Sequence, residues 1–588
     1  MPFFDCTRQI RLIVLDPGTK AASISFSFQF ANIYTEDSSQ HTSWEAISYR
    51  WAEDPGQLHN VHVGNETWQI DDNIFRMLND LRLADQERRL WIDALCINQG
   101  DEREKAEQVQ LMRNVYEQAR QVIIWLGCKD QQVEAAAVIS AARWAEQKCG
   151  LAYTLPTDRP LWQVFIAENP DIPWNGPFHE ILQNPWFTRM WVVQEAVLAR
   201  NLVVLMHDCV ILWDAFASAA LRFMSIIPAS EAIVSDLVDC YAACRTRHFS
   251  DMTMEGLDMI DLILNLRGWM QSANASVPPS ELVLLCGGRQ ALDGRDMIYG
   301  IRGLFGVQRG NLAYPVDYTL AIDELYKRFA CWCIQREGNL DILAQQRNER
   351  GQNRRAGLSS WATDWSRGRL DNFWTTPTLP VLCKLSSANL AHPERLPVFR
   401  RESDTLVVRG FIFDELGGPF SLGDDEASKD RHLRSWLSLI PQDTAANAML
   451  FGDNHPTIST LEQLYHHTYE RDRITSHLWR DGHQASQQVR RTKMEWRRPF
   501  VTRWGCLAIT FPFFDTVPYD NGDPPPKICY LIGGRSLFVL APAYASTGAG
   551  LQQYKLGCGD CFISGFEDGK GESMCRALGL QEVDIYLV

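Results

Sequence analysis

Hydrophobic and polar positions change rhythm three times along the chain. From residue 40 to about 215, short apolar runs alternate with amphipathic ones, as expected for strands interleaved with helices in an α/β domain. The clearest unit spans Leu90 to Gly127. Leu90 to Ile97 is nearly continuous apolar and predicts a strand buried on both faces of a parallel sheet. Ala106, Val109, Met112, Tyr116 and Ala119 then recur at helical spacing, with Glu102, Lys105, Gln110, Arg113 and Glu117 on the other side. Asp101 stands where it can cap that helix, and Glu104 where it can reach back in a capping box. Gln121 to Gly127 returns as a second strand, which predicts a parallel pair with a right-handed crossover. Trp44 to Ser48 and Leu202 to Met206 predict further strands.

From about 216 to 370 the pattern is mainly helical, broken at Pro278-Pro279 and Gly287-Gly288, with an amphipathic run from Asp323 to Cys333. Beyond 370, short apolar segments punctuated by Gly and Pro predict strands at Thr405 to Phe413, Ile528 to Ile532 and Leu537 to Leu540. A polar, helical insertion is expected near 427–498. The expected organisation is a lead-in over 1–39, an α/β domain over 40–215, a helical region over 216–370 and a β-rich region over 371–588. At roughly 150 residues per domain, a chain of 588 has room for all of them.

Composition narrows the class. Hydrophobic residues make up 46% and charged ones 22%, enough apolar content for large cores. The net charge of −15 argues against non-specific nucleic-acid binding. Sixteen cysteines are scattered rather than framed, and no signal-peptide layout opens the chain, so free thiols in a cytoplasmic protein are expected. The longest apolar run, Leu202 to Ala220, contains His207, Asp208 and Asp214, so no membrane span is expected.

Most familiar chemistry is missing. The sequence has no G-x-G-x-x-G after a strand, no P-loop, no H-E-x-x-H and no G-x-S-x-G. Cys558-Gly-Asp-Cys561 lacks a second pair at finger spacing, and Cys240 with Cys244 and Cys331 with Cys333 are equally unframed, so no metal is expected. His466, His467, His477 and His483, and the basic run Arg490, Arg491, Lys493, Arg497 and Arg498 around Trp496, read as solvated faces of the insertion. What stands out is Asp93, a charge inside an apolar run, where a carboxylate is costly unless paired or used. Ligands of open parallel sheets bind beyond the carboxyl ends of the strands, where Asn98, Gln99 and Asp101 would stand. The plainer reading of those three is that they cap the helix.

Three blocks together resemble one family. Trp44-Glu-Ala-Ile-Ser-Tyr-Arg-Trp51, the stretch from Leu90 to Gly127, and Trp186-Phe-Thr-Arg-Met-Trp-Val-Val-Gln-Glu195 resemble, in order, the blocks of the heterokaryon incompatibility (HET) domain of filamentous fungi. Asp293 to Leu304, Tyr314 to Tyr318 and Trp361 to Trp365 resemble segments that commonly follow it. The resemblance implies a fold distantly related to TIR domains, a flavodoxin-like parallel sheet. In many TIR domains a Trp and a Glu at the spacing of Trp191 and Glu195 lie on the helix after the third strand, and that Glu is needed for NAD cleavage. Here Cys128 to Pro185 intervenes between strand and helix.

Three functions follow as expectations. The protein is a non-self recognition and cell-death effector that signals through its HET domain by assembling with itself or an incompatibility partner. Alternatively it is an NAD glycohydrolase, with NAD as substrate rather than cofactor. Glu195 then engages the ribose, Tyr49, Trp51 or Trp191 stacks on the base, Arg50 and Arg189 face the phosphates, and Asp93, Asn98 and Gln99 line the rim. The simpler alternative has Trp191 and Glu195 packing the helix, with Glu195 paired to Arg189 or Arg200. The third is recruitment as an accessory protein of fungal secondary metabolism.

Overall fold

The computed structural model describes residues 4–33, 42–51, 56–127, 177–206, 209–226, 251–271, 277–306, 314–345, 355, 357–366, 396–419, 426–440, 457–463, 498–502, 506–510, 525–534, 537–543, 552–563 and 571–588. The histidine cluster, Cys240, Cys244, the basic run up to Arg497 and most of Cys128 to Pro185 lie outside these residues. The chain forms two compact units, Met1–Thr319 and Leu320–Val588. The expected boundaries at 215 and 370 therefore fall inside units.

The first unit is built on a nine-stranded sheet. Its strands are β1 (Gln9–Leu15), β2 (Ser25–Asn32), β3 (Glu45–Tyr49), β4 (Leu58–Val63), β5 (Glu66–Asp71), β6 (Arg88–Trp91), β7 (Gln121–Trp125), β8 (Leu202–Met206) and β9 (Cys209–Leu212), in the order β5-β4-β2-β1-β6-β3-β7-β8-β9. At its centre β6, β3, β7 and β8 run parallel. All five residues of β3 and of β8 are buried, as the continuous apolar pattern predicts for strands covered on both faces. Towards one margin the sheet turns antiparallel through β1 and β2, so residues 9–32 supply two strands of the sheet rather than a lead-in.

Helix α1 (Asp72–Leu81) precedes β6, and α2 (Asp93–Cys96) and α3 (Glu102–Gln118) link β6 to β7. Asp101 caps α3 by accepting from the Arg103 and Glu104 amides at 3.0 and 3.1 Å. The capping box is not completed as expected. Glu104 accepts instead from the Asn98 amide at 2.8 Å and pairs with Arg11 at 3.1 Å, tying α3 to β1. Of the apolar stripe, Val109, Met112, Tyr116 and Ala119 are buried as predicted and Ala106 is half-buried.

The expected strand over Leu90–Ile97 is cut short. β6 ends at Trp91, and Asp93 opens the one-turn helix α2. The Asp93 side chain accepts from the Ala94 amide at 2.8 Å, a local bond that an extended backbone would not favour. Asp93 therefore lies just past the carboxyl end of a strand instead of within it.

Five further helices complete this unit among the described residues: α4 (Pro177–Leu182), α5 (Val192–Leu198), α6 (Trp213–Ile226), α7 (Asp251–Gln271) and α8 (Pro279–Leu285), with a single turn α9 (Asp296–Tyr299). No described helix is long and apolar enough to cross a membrane.

The second unit opens with α10 (Ile322–Glu337), which covers the amphipathic run and carries Cys331 and Cys333 as free thiols. An eight-stranded, mainly antiparallel sheet follows: β10 (Val398–Arg400), β11 (Thr405–Pro419), β12 (Arg498–Thr502), β13 (Leu507–Thr510), β14 (Lys527–Leu531), β15 (Leu537–Ala543), β16 (Gln553–Ile563) and β17 (Val583–Leu587). Cys558 and Cys561 lie along β16. Two helices, α11 (Glu426–Leu437) and α12 (Gly571–Ala577), are set between its strands. The Trp361 indole is fully buried and donates to the Asp404 carbonyl at 3.1 Å, which explains one motif of the Trp361 to Trp365 segment as a structural anchor.

Candidate functional site

The three sequence blocks converge at the carboxyl ends of β6, β3 and β7. The last is brought there by its own capping. Asn184 accepts from the Trp186 amide at 2.9 Å and donates to the Leu126 carbonyl, just past β7, at 2.6 Å. A tight turn over Pro185–Thr188 follows, then Arg189, then α5. Arg189 donates to the Tyr49 carbonyl at the end of β3. Glu195, on α5, accepts a short hydrogen bond from the Ser48 hydroxyl. Ser48 in turn accepts from the Trp186 indole at 2.9 Å.

Asp93 meets the same group from the start of α2, just past β6. It accepts from the Trp51 indole at 2.8 Å, and Gln99 donates to its backbone carbonyl at 3.2 Å. The Tyr49 hydroxyl is buried beside Asp93 but makes no hydrogen bond of normal geometry.

The electrostatics are those of two carboxylates with one arginine. Burial pushes the Glu195 carboxyl up to about 7, and the neighbouring Asp93 adds to this. The Arg189 charge and the Ser48 and Tyr116 hydroxyls oppose the rise without cancelling it. Asp93 is raised for the same first reason, against Arg189, Trp51 and the Ala94 amide. Burial, helped by Asp93, holds Tyr49 well above an ordinary phenol. A site of this kind can hold or release a proton near neutrality, which suits general acid–base or electrostatic work.

Of the residues singled out from the sequence, Tyr49, Trp51, Asp93, Gln99, Arg189 and Glu195 come together. Two do not join them. The Asn98 side chain accepts from the Gly100 amide in an exposed turn, a local capping role. Trp191 donates its indole N–H to Asp296 at 3.1 Å and so belongs to a separate cluster. For Arg50, the backbone carbonyl accepts from Asn73 at 2.8 Å. Among the described residues, Glu195 pairs with neither Arg189 nor Arg200 in a direct ion pair.

Ser48, Trp186 and Tyr116 were not foreseen. Both Ser48 and Trp186 sit inside the HET-like blocks, yet a serine in an apolar strand and a tryptophan after Asn-Pro carry no individual signal. Asp296 was also missed as chemistry. It accepts from Tyr318 at 2.7 Å, and burial lifts it to about 6. Gln194, next to Glu195, is a clamp: its carbonyl accepts from the Gly303 amide at 2.5 Å. A Cβ on Gly303 would stand 2.5 Å from that oxygen, so a larger residue there would push the Gln194 side chain aside. Among the described residues no cluster could hold a metal ion.

Parallel sheet, capped crossover helix and a polar cluster at the strand ends define the class to which comparison with known proteins can be added. Residues 44–195 match the family model "Heterokaryon incompatibility protein (HET)", so the chain carries a HET domain over that segment. Across nearly its whole length it is similar to Heterokaryon incompatibility protein 6, OR allele, of Neurospora crassa. The two are 24% identical over an alignment covering 99% of this chain and 96% of that protein. No solved structure matches.

Proposed function

We propose that the protein acts in heterokaryon incompatibility, as a non-self recognition and cell-death effector of filamentous fungi that signals through residues 44–195. One observation carries this reading. The likeness to a protein named for incompatibility extends over 99% of the chain, so it includes the second unit as well as the HET segment. The decisive experiment introduces the full chain into fungal strains and scores heterokaryon viability. Growth arrest in some strain pairings and not in others is expected. Equal, healthy growth in every pairing would sink the proposal.

A second reading, compatible with the first, has a specific observation behind it. The four parallel strands follow the spatial order second, first, third, fourth (β6, β3, β7, β8), which is that of a flavodoxin-like sheet and supports the TIR-like relation. Ligands of such sheets bind where the order reverses, between β3 and β7, and there Ser48, Arg189 and Glu195 meet. In this reading Glu195 cleaves the N-glycosidic bond of NAD. The ionised carboxylate stabilises the positive charge that develops on the ribose, nicotinamide leaves as a neutral base, and water adds to the sugar carbon and releases one proton to solvent. Trp51 supplies the stacking surface, since Trp191 is committed elsewhere.

Because ionised Glu195 does the work, NAD cleavage should rise with pH through a midpoint near 7. Glu195→Gln should remove it by a factor of about 100 or more, by analogy with loss of a charge-stabilising group. Nicotinamide release followed by chromatography checks both. No release by the wild-type chain at high protein concentration ends this reading and leaves the first intact.

A further inference from the structure

The Ser48–Trp186 pair has a consequence for the proton on Glu195. Ser48 and Trp186 are fully buried and Glu195 is 2% exposed, so the bonds they make to one another are shielded from bulk solvent. The serine hydroxyl has one hydrogen. Among the described residues its oxygen contacts two groups: it accepts from the Trp186 indole, which can only donate, and it donates to Glu195 Oε2. If Glu195 carried its proton on Oε2, that proton and the serine hydrogen would face each other. Rotating the hydroxyl away would leave a buried hydrogen without an acceptor, a costly arrangement.

We infer that Ser48, held by Trp186, is a positioning residue that keeps Glu195 Oε2 as an acceptor and assigns the mobile proton to Oε1. This gives the working carboxylate of the second reading above a fixed orientation, and it rests on Glu195 being the working group. The other groups that face Glu195 are Arg189, Asp93 and Tyr116. Of these, Tyr116 donates to the Ile47 carbonyl at 3.4 Å while its oxygen faces Glu195 and can accept from Oε1, and Arg189 donates to the carbonyl of Tyr49. Neither competes for the Ser48 hydrogen.

The test reads the proton directly. Infrared difference spectra of the full-length protein across pH 5 to 9 report the carbonyl stretch of protonated carboxyls, and the band lost in Glu195→Gln belongs to Glu195. Ser48→Ala should raise its midpoint by on the order of 0.5 to 1 pH unit, because the lost bond is stronger to the carboxylate than to the protonated acid, which also accepts it. Ser48→Thr, which keeps the hydroxyl, should return it to the wild-type value. Trp186→Phe should move it upward by less, since Ser48 keeps its own hydrogen and loses only the polarising donor.

An unchanged midpoint in Ser48→Ala, or an equal rise in Ser48→Thr, overturns the inference. So does the absence of any titrating Glu195 band in the wild type. If Ser48→Ala does not fold, Trp186→Phe decides: no rise, or a fall, counts against it. None of these readouts needs NAD turnover. A chain that cleaves no NAD but shows the Ser48→Ala shift refutes the enzymatic reading and leaves only the hydrogen bond from Ser48 that sets the Glu195 midpoint.

Discussion

Glu45 and Glu195 are the same side chain at nearly the same burial, 4% and 2% exposed, at opposite ends of strand β3. Their protonation differs chiefly because their donors differ, Glu45 also lying less deeply than Glu195. Glu45 begins β3 and is held by Arg88 at 2.7 Å, by Arg120 at 2.8 Å and by the Gln121 amide. Burial alone would raise its carboxyl, but these partners outweigh it and the net shift is downward. Glu195 has only the neutral hydroxyls of Ser48 and Tyr116 and shares the charge of a single arginine with Asp93, so burial wins and the carboxyl rises to about 7. Burial sets the penalty; the supply of full positive charge decides whether it is met. At one end of the sheet the outcome is a fixed ion cluster, and at the other a group that can change state.

The contrast can be broken most forcefully from the Glu45 end. Arg88→Ala leaves a buried carboxylate with Arg120, which is largely exposed, as its remaining cation. About 3 kcal/mol should be lost, the lower part of the range for breaking a buried pair. Native-state hydrogen exchange of the β3 and β7 amides measures it, and a loss below about 1 kcal/mol would show that Glu45 is not held as described.

Glu195 should respond in the opposite sense. A carboxyl whose pKa is raised in the folded state binds a proton there that the unfolded chain has released. Its contribution is intact below about 4.5 and is lost as pH rises through about 7. Glu195→Gln removes that loss. It should leave stability unchanged near pH 4 and raise it near pH 8 by on the order of 3 kcal/mol, since a tenfold change in proton affinity corresponds to about 1.4 kcal/mol. The same exchange experiment at the two pH values checks it. Destabilisation at pH 8 would mean that the charged form is held, and the comparison with Glu45 would collapse.

The smallest effect sharpens the boundary of the site. Trp191→Phe removes one indole hydrogen bond to Asp296 and should cost about 1 kcal/mol. The Asp296 midpoint should rise above about 6, because that bond opposes the effect of burial. The Glu195 midpoint should stay where it is. Movement of both would show that the clusters on the two sides of α5 are one.

Much of the fold was legible in the residues. Strands at Trp44 to Ser48, Gln121 to Gly127 and Leu202 to Met206, and the helix capped by Asp101, follow from apolar runs and periodicity within single segments. Glu195, Arg189, Tyr49 and Asp93 could be singled out because each is a reactive or charged type within a recognisable block. The errors share a cause. Asp93 read as a strand residue because apolar neighbours on both sides conceal a turn that its own side chain makes with the next amide. Trp191 read as a wall of the site because helical spacing says which residues share a face and not what lies opposite. Asp296, far along the chain, lies opposite Trp191.

The sequence by itself determined where the parallel core lies, which helix bridges it and that a carboxylate accompanies the third block, because periodicity and capping act over a few residues. Only the tertiary structure decided how those carboxylates behave. Ser48 and Glu195 are separated by 147 positions, and Trp51 and Asp93 by 42. Contacts at such distances exist only when the strands are side by side. The pKa of a buried group depends on the donors packed around it, and no local pattern in the chain records them.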